Sequence, residues 1–137
     1  MMRLDYTLTL PGMFDIENMQ ILANELDVEI LAKVIFTFTP DIIMSPLALP
    51  RDLLDRKVDQ AVSKFKLGTA LHDVLLQLTK RPTMLETFGK EQYAQGMRKG
   101  KKRMLDLERI RNDSYTMRDI LSKDKEILQW WDSIDAG

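Results

Sequence analysis

Strand-like and helix-like spacings of apolar residues alternate early in the chain. Polar and apolar residues alternate over Tyr6–Leu10, which predicts a strand that stops at Pro11-Gly12. The next apolar positions recur every three or four residues and predict a helix with one apolar face: Ile16, Met19, Leu22, Ala23 and Leu26. The apolar run Val34–Phe38 predicts a second strand, covered on both faces. Together these elements predict a βαβ unit with parallel strands and a right-handed crossover.

A proline-rich loop follows the second strand. Pro40, Pro46 and Pro50 surround an apolar segment whose only charge is Asp41, and such a segment needs cover because loops usually run over the surface. In open α/β sheets and barrels, ligands bind where the parallel strands end. The sequence therefore predicts part of a ligand site here. Two strands alone are marginally stable in water, which indicates that the rest of a sheet is missing.

From Arg51 onward the apolar spacing is helical. Two successive stripes predict two helices, one with Leu53, Leu54, Val58, Ala61, Val62 and Phe65, the other with Leu71, Val74, Leu75 and Leu78. A third helical region contains Gly89, Gly96 and Gly100. We expect breaks or bends at these glycines, because glycine inside a helix costs about 1 kcal/mol relative to alanine.

The end of the chain predicts a short helix that docks through one face. Ile127, Leu128 and Trp131 share a stripe, whereas Trp130 points about a hundred degrees away. We therefore expect Trp131 to be buried and Trp130 to be more exposed. The predicted fold class is α/β: residues 1–50 form the βαβ unit, and residues 51–137 form a mostly helical C-terminal extension.

Composition excludes several kinds of site. The 137 residues include 20 basic and 21 acidic ones, and a net charge of −1 gives no general attraction to nucleic acid or anionic lipid. With no cysteine and one histidine, the chain cannot form disulfides, thiolate zinc sites or a multi-histidine metal site. The N-terminal residues lack the apolar core of a signal peptide, and prolines interrupt the longest apolar stretch. We expect a soluble cytoplasmic protein without membrane contact.

Three stretches of the chain resemble the C-terminal end of radical S-adenosylmethionine enzymes that carry a short, twitch-like extension. The first, which resembles a late barrel strand with its Thr-x-Thr and the helix after it, is YTLTLPGMFDIENMQILANEL. The second, which resembles the last barrel strand and its proline-rich exit, is KVIFTFTPDIIMSPLALP. The third, which resembles the closing helices with an acidic residue before an arginine and aromatic residues at the end, is LDLERIRNDSYTMRDILSKDKEILQWW.

The resemblance implies a fragment, a split subunit or a degenerate relative that holds the last strands of a (β/α) barrel. In the family, the end of the last strand offers backbone groups to the adenine of S-adenosylmethionine, and polar side chains of late strands face this cofactor. The residues at the matching positions are Phe38, Thr39 and Pro40, together with Thr7 and Thr9. The implied partner is the N-terminal portion of the barrel, or a second copy of this chain.

The family's Cys-x-x-x-Cys-x-x-Cys motif, which binds the iron–sulfur cluster, has no counterpart in this chain. We therefore expect the chain to bind no iron–sulfur cluster and to be inactive by itself. S-adenosylmethionine is expected as a cofactor only where the missing barrel is present. No catalytic or metal-ligating residue is predicted, and ordinary strand threonines are the simpler interpretation of the threonines named above.

A basic run supports an alternative from another class, a small noncatalytic helical protein that binds nucleic acid or a protein partner. The cations of this run are Arg98, Lys99, Lys101, Lys102 and Arg103. They could contact phosphates, but Tyr93 is the only aromatic residue nearby, and Asp106 can pair with the run across a helical turn. A solvated helix face is the simpler interpretation, as it is for His72, so nucleic acid is not the expected partner.

Overall fold

The computed structural model describes residues 3–35, 39–65 and 67–135. Strand β1 (Arg3–Leu8) and strand β2 (Glu29–Val34) are adjacent and parallel, with Arg3 opposite Glu29 and Leu8 opposite Val34. Helix α1 (Ile16–Leu26) connects them after a 3₁₀ turn. The parallel βαβ unit that the sequence predicts is therefore confirmed.

Both strands begin earlier than predicted. Strand β1 starts at Arg3 instead of Tyr6, and β2 ends at Val34, where the predicted strand begins. Residues 36–38, which complete the predicted second strand, lie outside the described residues. Alternation shows which residues share a face, but only pairing with the neighbouring strand decides where the ladder starts and ends.

One face of the two-stranded sheet is exposed. Leu8 and Val34 are buried on the inner face, where Tyr6, Ile30 and Ala32 are partly buried. The outer face carries exposed side chains from both strands: Arg3, Asp5, Thr7, Glu29, Leu31 and Lys33. Cover on both faces, which the sequence predicts for the second strand, is therefore absent from the described part of β2.

In the part of the chain that the structure describes, six α-helices follow the proline-rich loop. They are α2 (Arg51–Val62), α3 (Ala70–Lys80), α4 (Met84–Phe88), α5 (Lys90–Arg111), α6 (Met117–Leu121) and α7 (Lys125–Ser133). Side-chain oxygens of Thr69, Thr83, Thr116 and Asp124 accept backbone N–H groups at the starts of α3, α4, α6 and α7. Thr116 and Asp119 form a capping box at the start of α6, with aspartate in the position where glutamate is usual. The chain is thus mostly helical, with a small parallel sheet.

A single apolar cluster joins the sheet, the loop and the helices. Its members include Leu8, Val34, Leu47, Leu49, Leu54, Val58, Leu71, Leu78, Met97 and Trp131. The proline-rich loop is covered as expected, since its residues from Ser45 to Leu49 are buried. Residues 1–50 and residues 51–137 therefore contribute to the same core.

The predicted breaks at Gly96 and Gly100 are wrong, because α5 runs through both glycines without interruption. A Cβ atom on Gly96 would lie 2.1 Å from the carbonyl oxygen of Pro40, and one on Gly100 would lie 2.7 Å from that of Asp41. The glycines thus form a flat strip on which the segment after β2 packs. Gly89, the first of the three glycines in this region, has φ of 85° and does separate two helices, α4 and α5.

The docking face of α7 is wider than predicted. Ile127 and Trp131 are buried as expected, but Trp130 is also buried, at 9% exposed, and Leu128 is only partly buried. The indole Nε1 of Trp130 donates to the hydroxyl of Tyr93 at 3.2 Å. The prediction that Trp130 is more exposed is wrong, because the face of α7 that carries Trp130 also packs, against Tyr93 of α5.

A buried lysine links α2 to the start of α7. The ammonium of Lys57 lies 2.9 Å from Asp124 Oδ2 and 2.9 Å from Glu126 Oε1. Burial opposes ionisation of Asp124, but hydrogen bonds from Lys57 and from the backbone N–H groups of α7 keep the pKa of this carboxyl below its usual value. The ion cluster therefore stabilises the docked position of α7 as long as Asp124 is ionised.

We expect the stabilisation from Asp124 to disappear in acid. A carboxyl whose native pKa is lowered contributes fully above its unfolded pKa of about 4, and loses its contribution as the pH falls through the native value. Asp124→Asn should lower the free energy of unfolding by about 2 kcal/mol at neutral pH, the value of a charge-assisted hydrogen bond. This difference between wild type and variant should disappear in acid. Urea unfolding across this pH range measures the gap.

Asp106→Asn is the matched control for this effect. Asp106 forms an exposed ion pair with Arg109, and exposed pairs contribute about 0–1 kcal/mol. The free energy of unfolding of Asp106→Asn should follow that of wild type at every pH. A gap for Asp124→Asn that stays constant from neutral to acidic pH would show that the Lys57 cluster does not act through its charge.

Candidate functional site

A cleft opens between the segment that follows β2 and the middle of α5. Its volume is about 530 Å³, and its lining residues are Thr39, Pro40, Asp41, Gln92, Gln95, Gly96 and Lys99. We call it the strand-end cleft. This volume lies within the range of small-molecule sites, and five of the seven lining residues have polar side chains, so the cleft can offer hydrogen bonds to a polar ligand.

The carboxylate of Asp41 is held in this cleft by two side chains. It accepts a hydrogen bond from Thr39 Oγ1 at 2.6 Å and lies 3.1 Å from Arg103 Nη2. Hydrogen bonds from Thr39 and from its own backbone N–H, together with the charge of Arg103, hold the pKa of Asp41 below its usual value. Asp41 is therefore ionised and fastens its segment to α5, with Gly96 and Gly100 permitting the close approach.

The residues predicted to bind a cofactor do not all meet in the strand-end cleft. Thr39 and Pro40 line it, and Phe38 lies outside the described residues. Thr7 is exposed on the open face of the sheet, and Thr9 Oγ1 accepts the backbone N–H of Gly12 at 3.0 Å. The structure thus brings only one of the predicted threonines to the cleft and uses another to form a turn.

Helix α5 supplies lining residues that were not predicted to lie near the end of the second strand. Gln92, Gln95 and Lys99 come from far along the chain and line the wall opposite Thr39. Lys99 belongs to the basic run, which the sequence singles out as a candidate binding element. Nothing in the sequence distinguishes Gln92 and Gln95 from other glutamines on a helix surface. The two glycines spaced four residues apart were the available sign that another backbone approaches α5 closely.

The five cations of the basic run do not share one surface. Lys101 is buried, at 9% exposed, and donates to the carbonyl oxygens of Trp131 at 2.7 Å and Ile134 at 2.9 Å. Its ammonium also lies 5.1 Å from the centroid of the Trp131 ring. Burial lowers the pKa of Lys101. Lys101 therefore caps the C-terminal end of α7 and is not available to a phosphate in this arrangement.

The remaining cations of the run point outward. Arg103 pairs with Asp41, while Arg98, Lys99 and Lys102 are exposed. The expectation of a wholly solvated face is therefore wrong for Lys101 and holds for these three. A continuous phosphate-binding stripe of five cations is not present.

His72 is more enclosed than expected from the sequence. Its side chain is 12% exposed, and Nδ1 lies 3.7 Å from Asp73 Oδ1. This buried nitrogen has no hydrogen-bond partner within the described ranges. The interpretation as a solvated helix histidine is therefore wrong.

Comparisons with models of known families, with curated proteins and with solved structures found no match for this chain. Within residues 3–35, 39–65 and 67–135, no group of three or more histidine, aspartate or glutamate side chains is arranged to hold a metal ion. In the same ranges no helix combines the length and the apolar character that crossing a bilayer requires.

Proposed function

We propose that this chain is a noncatalytic part of a radical S-adenosylmethionine protein, in which it completes the barrel wall and adds the strand-end cleft to the ligand site. The observation that supports this proposal is a two-stranded parallel sheet with one exposed face. Parallel sheets normally have both faces covered and more than two strands. The rest of the barrel would supply the missing cover and the missing strands.

Side chains on the two strands alternate between the two faces of the sheet, as they do in the wall of a barrel. Residues of barrel strands alternate between the interior and the surrounding helices. The inner face of this sheet packs into the apolar core, and the outer face presents charged residues and Thr7 with one leucine, Leu31. In the proposed assembly, the polar outer face would line the barrel interior.

The outer edge of β1 is the proposed docking edge. The carbonyl of Leu8 accepts the N–H of Ile35, which follows β2, so alternate residues of β1 turn their backbone groups toward β2. The backbone groups of Asp5 and Thr7 then point to the other edge, where no described strand pairs with them. Unpaired edges of this kind recruit further strands.

The residues of this chain fit only a supporting role toward the cofactor. Without cysteine, the chain cannot hold the iron–sulfur cluster, which the N-terminal barrel portion would have to provide. The strand-end cleft could hold a polar part of S-adenosylmethionine or of a substrate through Thr39, Gln92, Gln95 and Lys99. The cofactor supplies a radical when it is cleaved. These residues would bind the cofactor or the substrate and orient it.

The proposal predicts that activity requires a second chain. The purified protein should not cleave S-adenosylmethionine after anaerobic treatment with iron and sulfide. Cleavage, measured as release of 5′-deoxyadenosine with dithionite as the electron donor, should appear when the protein is combined with the product of a neighbouring reading frame that encodes the three-cysteine motif. Cleavage by this chain alone, or DNA that encodes no such motif on either side, would contradict the proposal.

A separate measurement tests the exposed face of the sheet. Leu31 is 49% exposed on that face, so Leu31→Lys should weaken self-association or binding to the second chain without unfolding the protein. Leu67→Lys is the control, because Leu67 is 86% exposed between α2 and α3. Analytical ultracentrifugation compares the two. If the wild-type protein is a monodisperse monomer and does not bind the second chain, the sheet is complete as it stands and the proposal is wrong.

A further inference from the structure

A second cleft lies between α5 and the end of α7. Its volume is about 470 Å³, within the range of small-molecule sites. Apolar atoms dominate its walls, to which Pro50, Leu85, Met97 and Trp130 contribute, and Lys90 and Arg98 stand at its rim. We call it the α5–α7 cleft. It is separate from the strand-end cleft, since the two share no lining residue.

The walls of the α5–α7 cleft are held in place by buried hydrogen bonds. Trp130 donates to the Tyr93 hydroxyl, and this hydroxyl donates to the carbonyl of Ala48 in the proline-rich loop. Lys101 ties the end of α7 to α5 through two carbonyl oxygens. The cleft therefore exists before any ligand arrives, which reduces the entropic cost of binding.

The charges at the rim favour an anion. Lys90 and Arg98 are exposed, and neither forms an ion pair or side-chain hydrogen bond with another described residue. In contrast, Lys101 and Arg103, farther along α5, both have partners. Asp135 is the one acidic residue in the lining, so two cations face one carboxylate.

Arg98 is the better suited of the two cations to a carboxylate, because of the shape of its charged group. Met97, which also lines the cleft, is buried, and its thioether can adapt to ligands of different shape. A guanidinium binds a carboxylate through two parallel hydrogen bonds, which an ammonium cannot do. The aliphatic stem of Arg98 can extend the apolar wall while its charged end stays at the rim.

We propose that the α5–α7 cleft binds a small molecule with an apolar body and a carboxylate head, such as a medium-chain fatty acid or an arylalkanoate. The apolar body lies against Met97, Leu85 and Trp130, and the carboxylate pairs with Arg98. The proposal does not depend on the one made for the strand-end cleft, because it uses different residues and needs no second chain.

Calorimetric titration of the full chain with octanoate and with 4-phenylbutyrate tests this site. At least one acid should bind saturably at one site, and octan-1-ol or 4-phenylbutanol should bind about tenfold more weakly because the charged hydrogen bonds are lost. Arg98→Gln should weaken binding of the acid by a similar factor. Lys99→Gln is the matched control, since Lys99 is the adjacent cation but lines the other cleft.

Filling the cleft provides a test that leaves all charges in place. Ala94 is exposed and lies in the lining between Lys90 and Arg98, so Ala94→Phe, or the smaller change Ala94→Leu, should abolish binding without unfolding α5. Circular dichroism verifies the fold of each variant. Failure of both acids to saturate, equal losses in Arg98→Gln and Lys99→Gln, or unchanged binding in a folded Ala94 variant would each overturn the proposal.

Discussion

Replacing Gly96 by alanine should destabilise the protein, although alanine is the better helix former. In an exposed helix interior this change would stabilise by about 1 kcal/mol. Here the added Cβ would lie 2.1 Å from the carbonyl oxygen and 2.5 Å from the carbonyl carbon of Pro40. These are backbone atoms, so no side-chain rotation relieves the overlap. We expect a net loss of about 3 kcal/mol, at the upper end of overpacking costs.

Urea unfolding followed by circular dichroism measures this loss. Gln95→Ala is the matched control, because Gln95 is the exposed neighbour on the same helix and should change stability by less than about 0.5 kcal/mol. Gly100→Ala should lie between them, since its Cβ would be 2.7 Å from the carbonyl oxygen of Asp41. If Gly96→Ala is as stable as wild type, the segment after β2 does not pack on α5 as described.

The same substitution should disturb the strand-end cleft. Pro40 and Asp41 form one wall of this cleft, and α5 forms the other. Pushing them apart would weaken the contact between Asp41 and Arg103. A chemical-shift change at Thr39 and Lys99 in Gly96→Ala, without one at Trp130, would show that the effect is local to this cleft.

Removing the indole of Trp131 should produce the largest loss of stability among single side chains. Trp131 is 1% exposed, and its ring and its carbonyl oxygen both contact Lys101. Truncation of a buried tryptophan to alanine costs about 3–5 kcal/mol, a large part of the roughly 5–15 kcal/mol that stabilises a typical domain. Trp131→Ala should therefore unfold at much lower urea or not fold at all, whereas Trp131→Phe should retain a measurable transition.

Trp130 provides the comparison within the same helix. It is also buried, at 9% exposed, and donates to Tyr93, so Trp130→Ala should be clearly destabilising but less so than Trp131→Ala. Trp130→Phe removes the hydrogen bond, worth about 1 kcal/mol, together with part of the ring packing, so its cost should lie between that value and the cost of Trp130→Ala. A Trp130→Ala variant that is less stable than Trp131→Ala would show that the α5–α7 contact, and not the ring of Trp131, anchors the helix.

Local patterns were sufficient to predict most of the helices. The stripe from Leu71 to Leu78 is buried in α3 as expected. The parallel βαβ unit also follows from the order in which strand-like and helix-like spacings of apolar residues occur, because adjacent strands joined by a helix run parallel. Such features depend on neighbours within a few residues, and sequence spacing describes those neighbours directly.

Candidate-site residues were only partly predictable for the same reason. Thr39 and Pro40 were expected at the end of the second strand and do line a cleft. Gln92 and Gln95 reach the same cleft from α5, and nothing local to them indicates which segment will lie opposite. Thr9 matches a position that faces the cofactor in the family it resembles, but its hydroxyl accepts the backbone N–H of Gly12 in the turn after β1.

What this sequence determines by itself is the placement of its helices, the order of its two strands and the absence of thiolate chemistry. Tertiary structure decided the rest. A lysine in a basic run became the cap of a distant helix, two glycines became a packing strip instead of breaks, and a second tryptophan was buried. Each outcome depends on which backbone or side chain arrives from another part of the chain, and periodicity carries no information about partners at long sequence separation.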